Sequence, residues 1–296
     1  MSANSVAAVK REILVRHLEA WAPAALHRAR RAVYAHGYAE STRELAEAAL
    51  GVFTEQSDLV RGRELAMVTV GAELRTDGDG GLAAGLSVLG VPGPTEATWA
   101  AALGAAGALR VPVLGFLDCS AAGGPPGPDL LAVLARGKPA EALLALPGAV
   151  PVPPTRAALA EAGFPLVAAV ELADSDAPGE TVVYATTHSK NLEAFKDLLW
   201  AVDEYAGVRY RDPGDPERHL IDISLSPHPG PLRRELLAHL AEVGEATVTE
   251  LRTYALTETV YRAADATRVL HTLLDAGTVT RRPEHGRLGG DVTIST

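Results

Sequence analysis

Short apolar runs alternate with helix-like segments along residues 1–160, and this alternation constrains the fold more than any other feature of the sequence. Apolar runs of strand type occur at Ala32–Ala35, Leu65–Val70, Leu86–Leu89, Val111–Leu117 and Ala142–Leu146. Helical spacing of apolar residues is found at residues 6–31, 42–53 and 95–109, and Pro23 is predicted to end or kink the first of these helices. Because parallel strands need long crossover connections, the alternation predicts a parallel sheet with helices on both faces.

Two further strands are predicted at residues 166–172 and 181–186, separated by the turn-type segment Asp174–Gly179. Strands joined by so short a turn pair antiparallel. A parallel sheet that ends in an antiparallel hairpin is typical of class I methyltransferases. We therefore predict an α/β fold with a Rossmann-like sheet of the class I methyltransferase type.

The last part of the chain has a different pattern. Leucines at helical spacing predict one helix at residues 232–240, a second that begins at Thr247 or Thr249, and a third from Thr259 to Leu274. Gly277 is placed to end the third helix, and two short strands flank a Gly-rich tip at residues 281–290. This pattern is typical of a winged helix, so we predict a methyltransferase-like α/β domain at residues 1–217 and a winged-helix domain at residues 218–296.

The composition excludes several kinds of site. Cys119 is the only cysteine among 296 residues, so neither an intrachain disulfide nor a cysteine-based zinc site can form. The nine histidines show no ligand spacing, and we expect no metal. No apolar run reaches the roughly 18–20 residues of a membrane span, and the charged first helix is unlike a secretion signal. We therefore expect a cytoplasmic protein that has no membrane contact.

Both ends of the chain resemble the three-Cys-motif partner (TcmP) family. Lys10–Trp21 resembles the first helix of that family, and Tyr184–Asp197, continued by Trp200–Asp203, resembles its strand-then-helix segment. In the tail, the resemblance lies in Leu251, Leu256–Thr259 and Leu273–Gly277. It implies an S-adenosylmethionine (SAM) methyltransferase fold with a C-terminal winged helix, and the family name implies a three-Cys-motif protein as partner.

The loop after the first predicted strand departs from the family pattern, in which an Asp and several glycines follow the strand. Here residues 34–42 read Tyr-Ala-His-Gly-Tyr-Ala-Glu-Ser-Thr, with His36 in place of the Asp, Glu40 in place of a Gly, and Gly37 kept. Glycines in such loops let the backbone approach the cofactor closely. A Glu40 carboxylate ~4 Å from the carboxylate of SAM would oppose binding by on the order of 4 kcal/mol.

Candidate site residues follow three predicted strands, at the sheet edge where open α/β folds bind ligands. The resemblance implies that Gly37 and Glu73 bind the cofactor, Glu73 through the ribose hydroxyls. Asp118 is the candidate catalytic residue, although the proline and aromatic residue that follow it in the family motif are missing. Alternatives are a solvated turn carboxylate for Glu73, a turn cap for Asp118, and a thiol nucleophile at Cys119 with His36 as base.

Three functions follow from these patterns. The first is a degenerate methyltransferase-like protein, a pseudoenzyme that acts as a binding or regulatory partner. The second is an active SAM-dependent methyltransferase with an altered cofactor pocket. The third is nucleic-acid binding through the wing residues Arg281, Arg282 and Arg287, but the net charge of −10, and the nine Arg against ten Asp and Glu in residues 218–296, weigh against it. We therefore expect a protein partner.

Overall fold

A nine-stranded mixed sheet lies at the centre of the computed structural model, which describes residues 3–74, 82–148, 150–173, 177–206, 209–215, 217–221 and 230–296. The strands run in the order β3-β2-β1-β4-β5-β7-β6-β8-β9. Their bounds are β1 Arg31–Gly37, β2 Glu64–Val70, β3 Leu86–Val91, β4 Val113–Asp118, β5 Ala140–Leu146, β6 Leu166–Ala173, β7 Glu180–Thr186, β8 Arg209–Arg211 and β9 Leu220–Ile221.

The first five strands pair in parallel, as the sequence predicts. β7 lies antiparallel between β5 and β6, which confirms the predicted hairpin. The middle of its turn, residues 174–176, and the turn that the sequence indicates at residues 77–81 lie outside the described residues. The short strands β8 and β9 extend the β6 edge antiparallel. Every residue of β4 and β5 is buried, because helices cover both faces of these central strands.

Six helices of the described chain cover the sheet. They are α1 Ala3–Arg28, α2 Arg43–Glu55, α3 Thr95–Ala105, α4 Pro128–Leu134, α5 Val152–Ala162 and α6 Ser189–Ala206. One apolar cluster joins α1, α2 and α6 to one face of the sheet, and a second joins α3, α4 and α5 to the other. The predicted arrangement of helices on both faces is therefore confirmed.

Of the two effects predicted for Pro23, the end of the helix is wrong, because α1 continues to Arg28. A proline has no N–H, so the carbonyl of Glu19 one turn earlier cannot receive its usual helical hydrogen bond. Gln56 Nε2 donates to that carbonyl at 3.4 Å. A side chain distant in sequence thus compensates for the interruption.

The tail contains three helices and a three-stranded sheet. The helices are α7 Gly230–Val243, α8 Val248–Glu258 and α9 Ala263–Asp275; the strands are β10 Glu245–Thr247, β11 Thr280–Arg282 and β12 Thr293–Ser295. β12 pairs antiparallel with both β10 and β11. Thr247 is the N-cap of α8, with a reciprocal bond from the Thr247 N–H to Glu250 Oε2 at 2.7 Å. Gly277 follows α9 at φ 64°, as predicted for a C′ glycine.

The tail packs against the body of the chain. The apolar cluster of α1, α2 and α6 continues without a break into α7, α8 and α9. The division between residues 217 and 218 stays a prediction; β9 at Leu220–Ile221 pairs with β8 of the large sheet. None of the helices in the described ranges combines the length and the apolar character that a membrane span requires.

Candidate functional site

Gly37 ends β1 at the carboxyl edge of the parallel strands, where the sequence predicts the site. A methyl group in place of its hydrogen would overlap the Leu117 side chain and lie 3.0 Å from Cγ2 of Thr95. Trp99 of α3 closes the same space. The glycine is therefore required where α3 packs onto β1 and β4, and on this side no room is left for a ligand.

The loop after Gly37 is closed by hydrogen bonds within the chain. Tyr38 has a φ of 56°, a conformation that disfavours a side chain by roughly 1–2 kcal/mol. Its N–H donates to Thr95 Oγ1 at 2.7 Å, and its hydroxyl donates to Glu96 Oε1 at 2.9 Å. Its carbonyl accepts from the Ser41 N–H at 3.1 Å. Few backbone groups of this loop are left to contact a cofactor.

His36 is fully buried, and both of its ring nitrogens are engaged. Thr42 Oγ1 donates its proton to the carbonyl of Tyr38, so it must accept from His36 Nε2 at 2.9 Å. His36 Nδ1 then accepts from the Tyr34 hydroxyl at 2.9 Å. Burial lowers the pKa of His36 to about 3, against the effect of Asp118. His36 is a neutral structural residue and is not free to act as a base.

Glu40 lies over the end of β2. Gly71, which follows that strand, has a φ of 100°, and a methyl group there would overlap the Glu40 carboxylate. Glu40 itself is exposed to solvent. An acidic side chain therefore occupies the edge of the sheet where the family pattern has a glycine.

Glu73 is exposed three residues after β2. Its side chain lies against the backbone of Gly90 in β3, where an added methyl group would be 2.9 Å from Glu73 Cγ. Its carbonyl accepts from an Arg43 guanidinium nitrogen at 3.1 Å. Glu73 thus lies on the β3 side of the edge, and Arg43 of α2 bridges to it across the end of β2.

Asp118 ends β4 and is buried. Lys10 of α1 forms an ion pair with it, with 2.7 Å between Nζ and Oδ2. Lys10 Nζ also lies 2.8 Å from Glu180 Oε2, and the Ser120 N–H donates to Asp118 Oδ1 at 3.1 Å. Burial lowers the pKa of Lys10, but Asp118 and Glu180 outweigh it and raise the pKa above its ordinary value. The carboxylate is therefore neutralised within the chain.

Cys119 is buried beside this ion pair. Burial, and next the charge of Asp118, raise the pKa of its thiol to about 12. Thiolates are the nucleophilic form, so the geometry does not support catalysis by Cys119. Among the residues that the structure describes, no three His, Cys, Asp or Glu side chains are grouped to hold a metal ion.

These residues do not fit SAM. The space beside Gly37 is filled by α3, Glu40 lies against Gly71, and Asp118 is paired with a lysine. The structure brings Gly37 and Asp118 to the same edge, since β1 and β4 are neighbours, and places Glu73 farther along it. The sequence does not predict the contact between Lys10 and Asp118, although the place of Lys10 among the apolar residues of the first helix is a signal of its burial.

Two of the three wing arginines are bound within the tail. Arg281 donates to the carbonyls of Pro283 at 2.9 Å and Gly286 at 3.0 Å, and Arg282 forms an ion pair with Glu245. Arg287, the third, is exposed. Arg281 and Arg282 would have to give up these contacts in order to bind phosphates.

The first turn of α9 also faces the chain itself. The Arg262 guanidinium lies 4.5 Å from the centre of the Trp200 ring in α6, and its Nε donates to Asp265 Oδ2 at 2.9 Å. Both Arg262 and Asp265 are therefore engaged at the contact with α6. Comparisons with models of protein families, with curated proteins and with solved structures found no match to this chain.

Proposed function

We propose that this chain is a methyltransferase-like protein of the TcmP type with a degenerate cofactor site, and that it acts as a binding or regulatory partner of another protein. The fold supports this proposal in two ways. The parallel strands end in an antiparallel hairpin, which is the pattern of class I methyltransferases. The three helices and small antiparallel sheet of the tail support the predicted winged helix.

The observation that carries the proposal is the ion pair between Lys10 and Asp118. In a methyltransferase of this type, the acidic residue after the fourth strand is the group expected to contact the reacting nitrogen. Here that carboxylate is buried, paired with a lysine at 2.7 Å and bonded to Ser120. To reach Asp118, a substrate would have to displace Lys10 from two carboxylates. The ion pair therefore opposes the contact between Asp118 and a reacting nitrogen that catalysis requires.

Glu40 supports the same conclusion on the cofactor side. Its carboxylate lies against Gly71, at the edge that the methionine end of SAM would approach. Two carboxylates ~4 Å apart repel each other by on the order of 4 kcal/mol, which is roughly three decades of affinity. The partner that the resemblance implies is a three-Cys-motif protein, and the cytoplasm is the expected compartment.

Titration calorimetry with SAM and with S-adenosylhomocysteine tests the proposal on the full chain. We expect no saturable heat at millimolar ligand. Micromolar binding would overturn the proposal in favour of an active methyltransferase, in which Gly37, Glu73 and Asp118 line an altered pocket. In that case Glu73→Ala and Asp118→Ala should each weaken binding, while Glu47→Ala, at an exposed position on α2, should leave it unchanged.

A further inference from the structure

A cavity of about 140 Å³ lies between α1 and α6, at the amino-terminal ends of β4 and β5. It is at the opposite end of the sheet from Asp118. Ala24, Arg28 and Ala194 are exposed and form its mouth, whereas Trp21 and Ala25 are buried in its wall. A small molecule therefore has an entrance from solvent and an apolar wall to pack against.

The floor of the cavity is a buried carboxylate. Glu141, the second residue of β5, is 4 % exposed. Its Oε1 accepts from Asn191 Nδ2 at 2.9 Å, and its Oε2 accepts from the Tyr184 hydroxyl. Burial raises the pKa of Glu141 to about 7, although its side-chain hydrogen bonds and the charge of Arg28 at the mouth oppose this shift. Within the described chain, Glu141 forms no ion pair with a buried lysine or arginine of the kind that Asp118 forms with Lys10.

His17 faces the same floor with an unused nitrogen. The side chain is buried, with 6 % exposure, and it lines the cavity. Its Nε2 has no hydrogen-bond partner within the described chain and lies 3.7 Å from Glu141 Oε2, too far for a hydrogen bond. Tyr184 and Phe195 hold the ring edge-on at centroid distances of 5.1 Å and 5.3 Å. A buried polar atom without a partner requires an explanation, and a ligand would supply one.

We propose that this cavity is a binding site for a small single-ring amine, whose amino group donates hydrogen bonds to Glu141 Oε2 and His17 Nε2. The ring lies against Trp21 and Ala25, between α1 and α6. The site goes beyond the proposed function, because it shares no residue with the edge of the sheet at Gly37, Glu73 and Asp118.

The size and the charge of the cavity select this class of ligand. An engineered cavity of about 150 Å³ in another protein holds one benzene molecule, so the volume here fits one ring. An amino group can donate to both polar atoms at once, and as an ammonium it also pairs with the carboxylate. A carboxylate ligand has no proton to donate to either polar atom. A hydroxyl has a single proton and can donate to only one of the two atoms.

Calorimetry of the full chain with benzylamine, benzyl alcohol and toluene tests the site. We expect saturable binding of benzylamine and clearly weaker binding of the other two probes. Glu141→Gln should weaken benzylamine binding about ten-fold or more, because the charge that pairs with the ammonium group is removed and only one acceptor oxygen remains. On benzylamine binding, the ¹⁵N resonance of His17 Nε2 should shift.

A matched pair of variants at exposed positions keeps the test independent of folding. Ala194→Leu narrows the mouth and should weaken benzylamine binding about ten-fold or more, since the ring cannot enter. Ala201→Leu is the control, because Ala201 is exposed on the same helix and does not line the cavity. The proposal is wrong if benzylamine gives no heat at millimolar concentration, binds no better than benzyl alcohol, or binds equally to the wild type and Ala194→Leu.

Discussion

Lys10 is buried between two carboxylates, and its ion pair neutralises Asp118 at the carboxyl edge of the sheet. Its Nζ lies 2.7 Å from Asp118 and 2.8 Å from Glu180. A buried ion pair gains little net stability, because both charges lose their hydration. Removing one partner is more damaging, since the other charge is left without compensation in the interior.

We therefore expect Lys10→Met to destabilise the chain by about 3 kcal/mol, measured by urea denaturation. Lys138→Met is the control, because Lys138 is exposed, and its change should stay within about 0.5 kcal/mol. The double variant Lys10→Met with Asp118→Asn should recover part of the loss, since the uncompensated charge is gone. Equal free energies of unfolding for Lys10→Met and Lys138→Met would show that the ion pair does not stabilise the fold.

At the residue scale, sequence reasoning located the carboxyl edge but not the state of its side chains. The resemblance implies that Gly37 and Asp118 belong to the site, and both follow predicted strands, whose ends meet at one edge in a parallel sheet. Whether the Asp118 carboxylate is paired depends on the side chains that other helices and strands place beside it. Its partner, Lys10, is 108 positions away in the sequence, so the pattern around Asp118 does not indicate the pair. The sequence does not indicate Glu141, because the predicted strand begins one residue later, at Ala142, whereas β5 begins at Ala140.

At the scale of elements, apolar runs in the sequence predict the long strands but do not predict the short ones. β8 contains the polar sequence Arg-Tyr-Arg and is stabilised by its pairing with β6, so no apolar pattern indicates it. The third tail helix begins at Ala263 instead of Thr259. The physical reason is that the carbonyls of Thr259 and Tyr261 are bound by Lys196 of α6, which holds this stretch out of the helix.

Lys196 joins α6 to the end of α8. Its Nζ donates to the carbonyls of Ala255 at 3.1 Å, Thr259 at 2.6 Å and Tyr261 at 2.8 Å. Burial lowers its pKa to about 7. The three acceptors favour the charged form, since only an ammonium group has three N–H donors. One fully buried side chain therefore satisfies three carbonyls where the tail meets the body.

We expect Lys196→Met to lower the free energy of unfolding by about 3 kcal/mol, because the buried carbonyls of Thr259 and Tyr261 lose the ammonium donor. The Ala255 carbonyl keeps the Thr259 hydroxyl as its donor. The loosening should be local, so amide hydrogen exchange should accelerate in α8 more than in β1. Lys190→Met, at an exposed position of the same helix, should change neither quantity. Unaltered exchange in α8 of Lys196→Met would mean that the apolar contacts alone hold the tail in place.

At the scale of the whole molecule, the charge balance was readable from the sequence, but the orientation of the tail was not. The net charge of −10, and the excess of acidic over basic residues in 218–296, already argue against strong binding to the phosphates of nucleic acids. The structure adds that the first turn of α9 faces α6, through Arg262 and Trp200. In helix-turn-helix proteins, that end of the recognition helix contacts the bases.

We therefore expect the full chain to bind duplex DNA more weakly than nonspecific DNA-binding proteins do, with a dissociation constant above roughly 10⁻⁴ M at physiological salt. Fluorescence anisotropy at several salt concentrations measures this, and the salt dependence should be shallow because few phosphates are neutralised. The double variant Arg281→Ala with Arg282→Ala should bind as the wild type does, since both side chains are already engaged within the tail. Micromolar binding with a steep salt dependence, reduced in slope by about two in the double variant, would instead assign nucleic-acid binding to the wing.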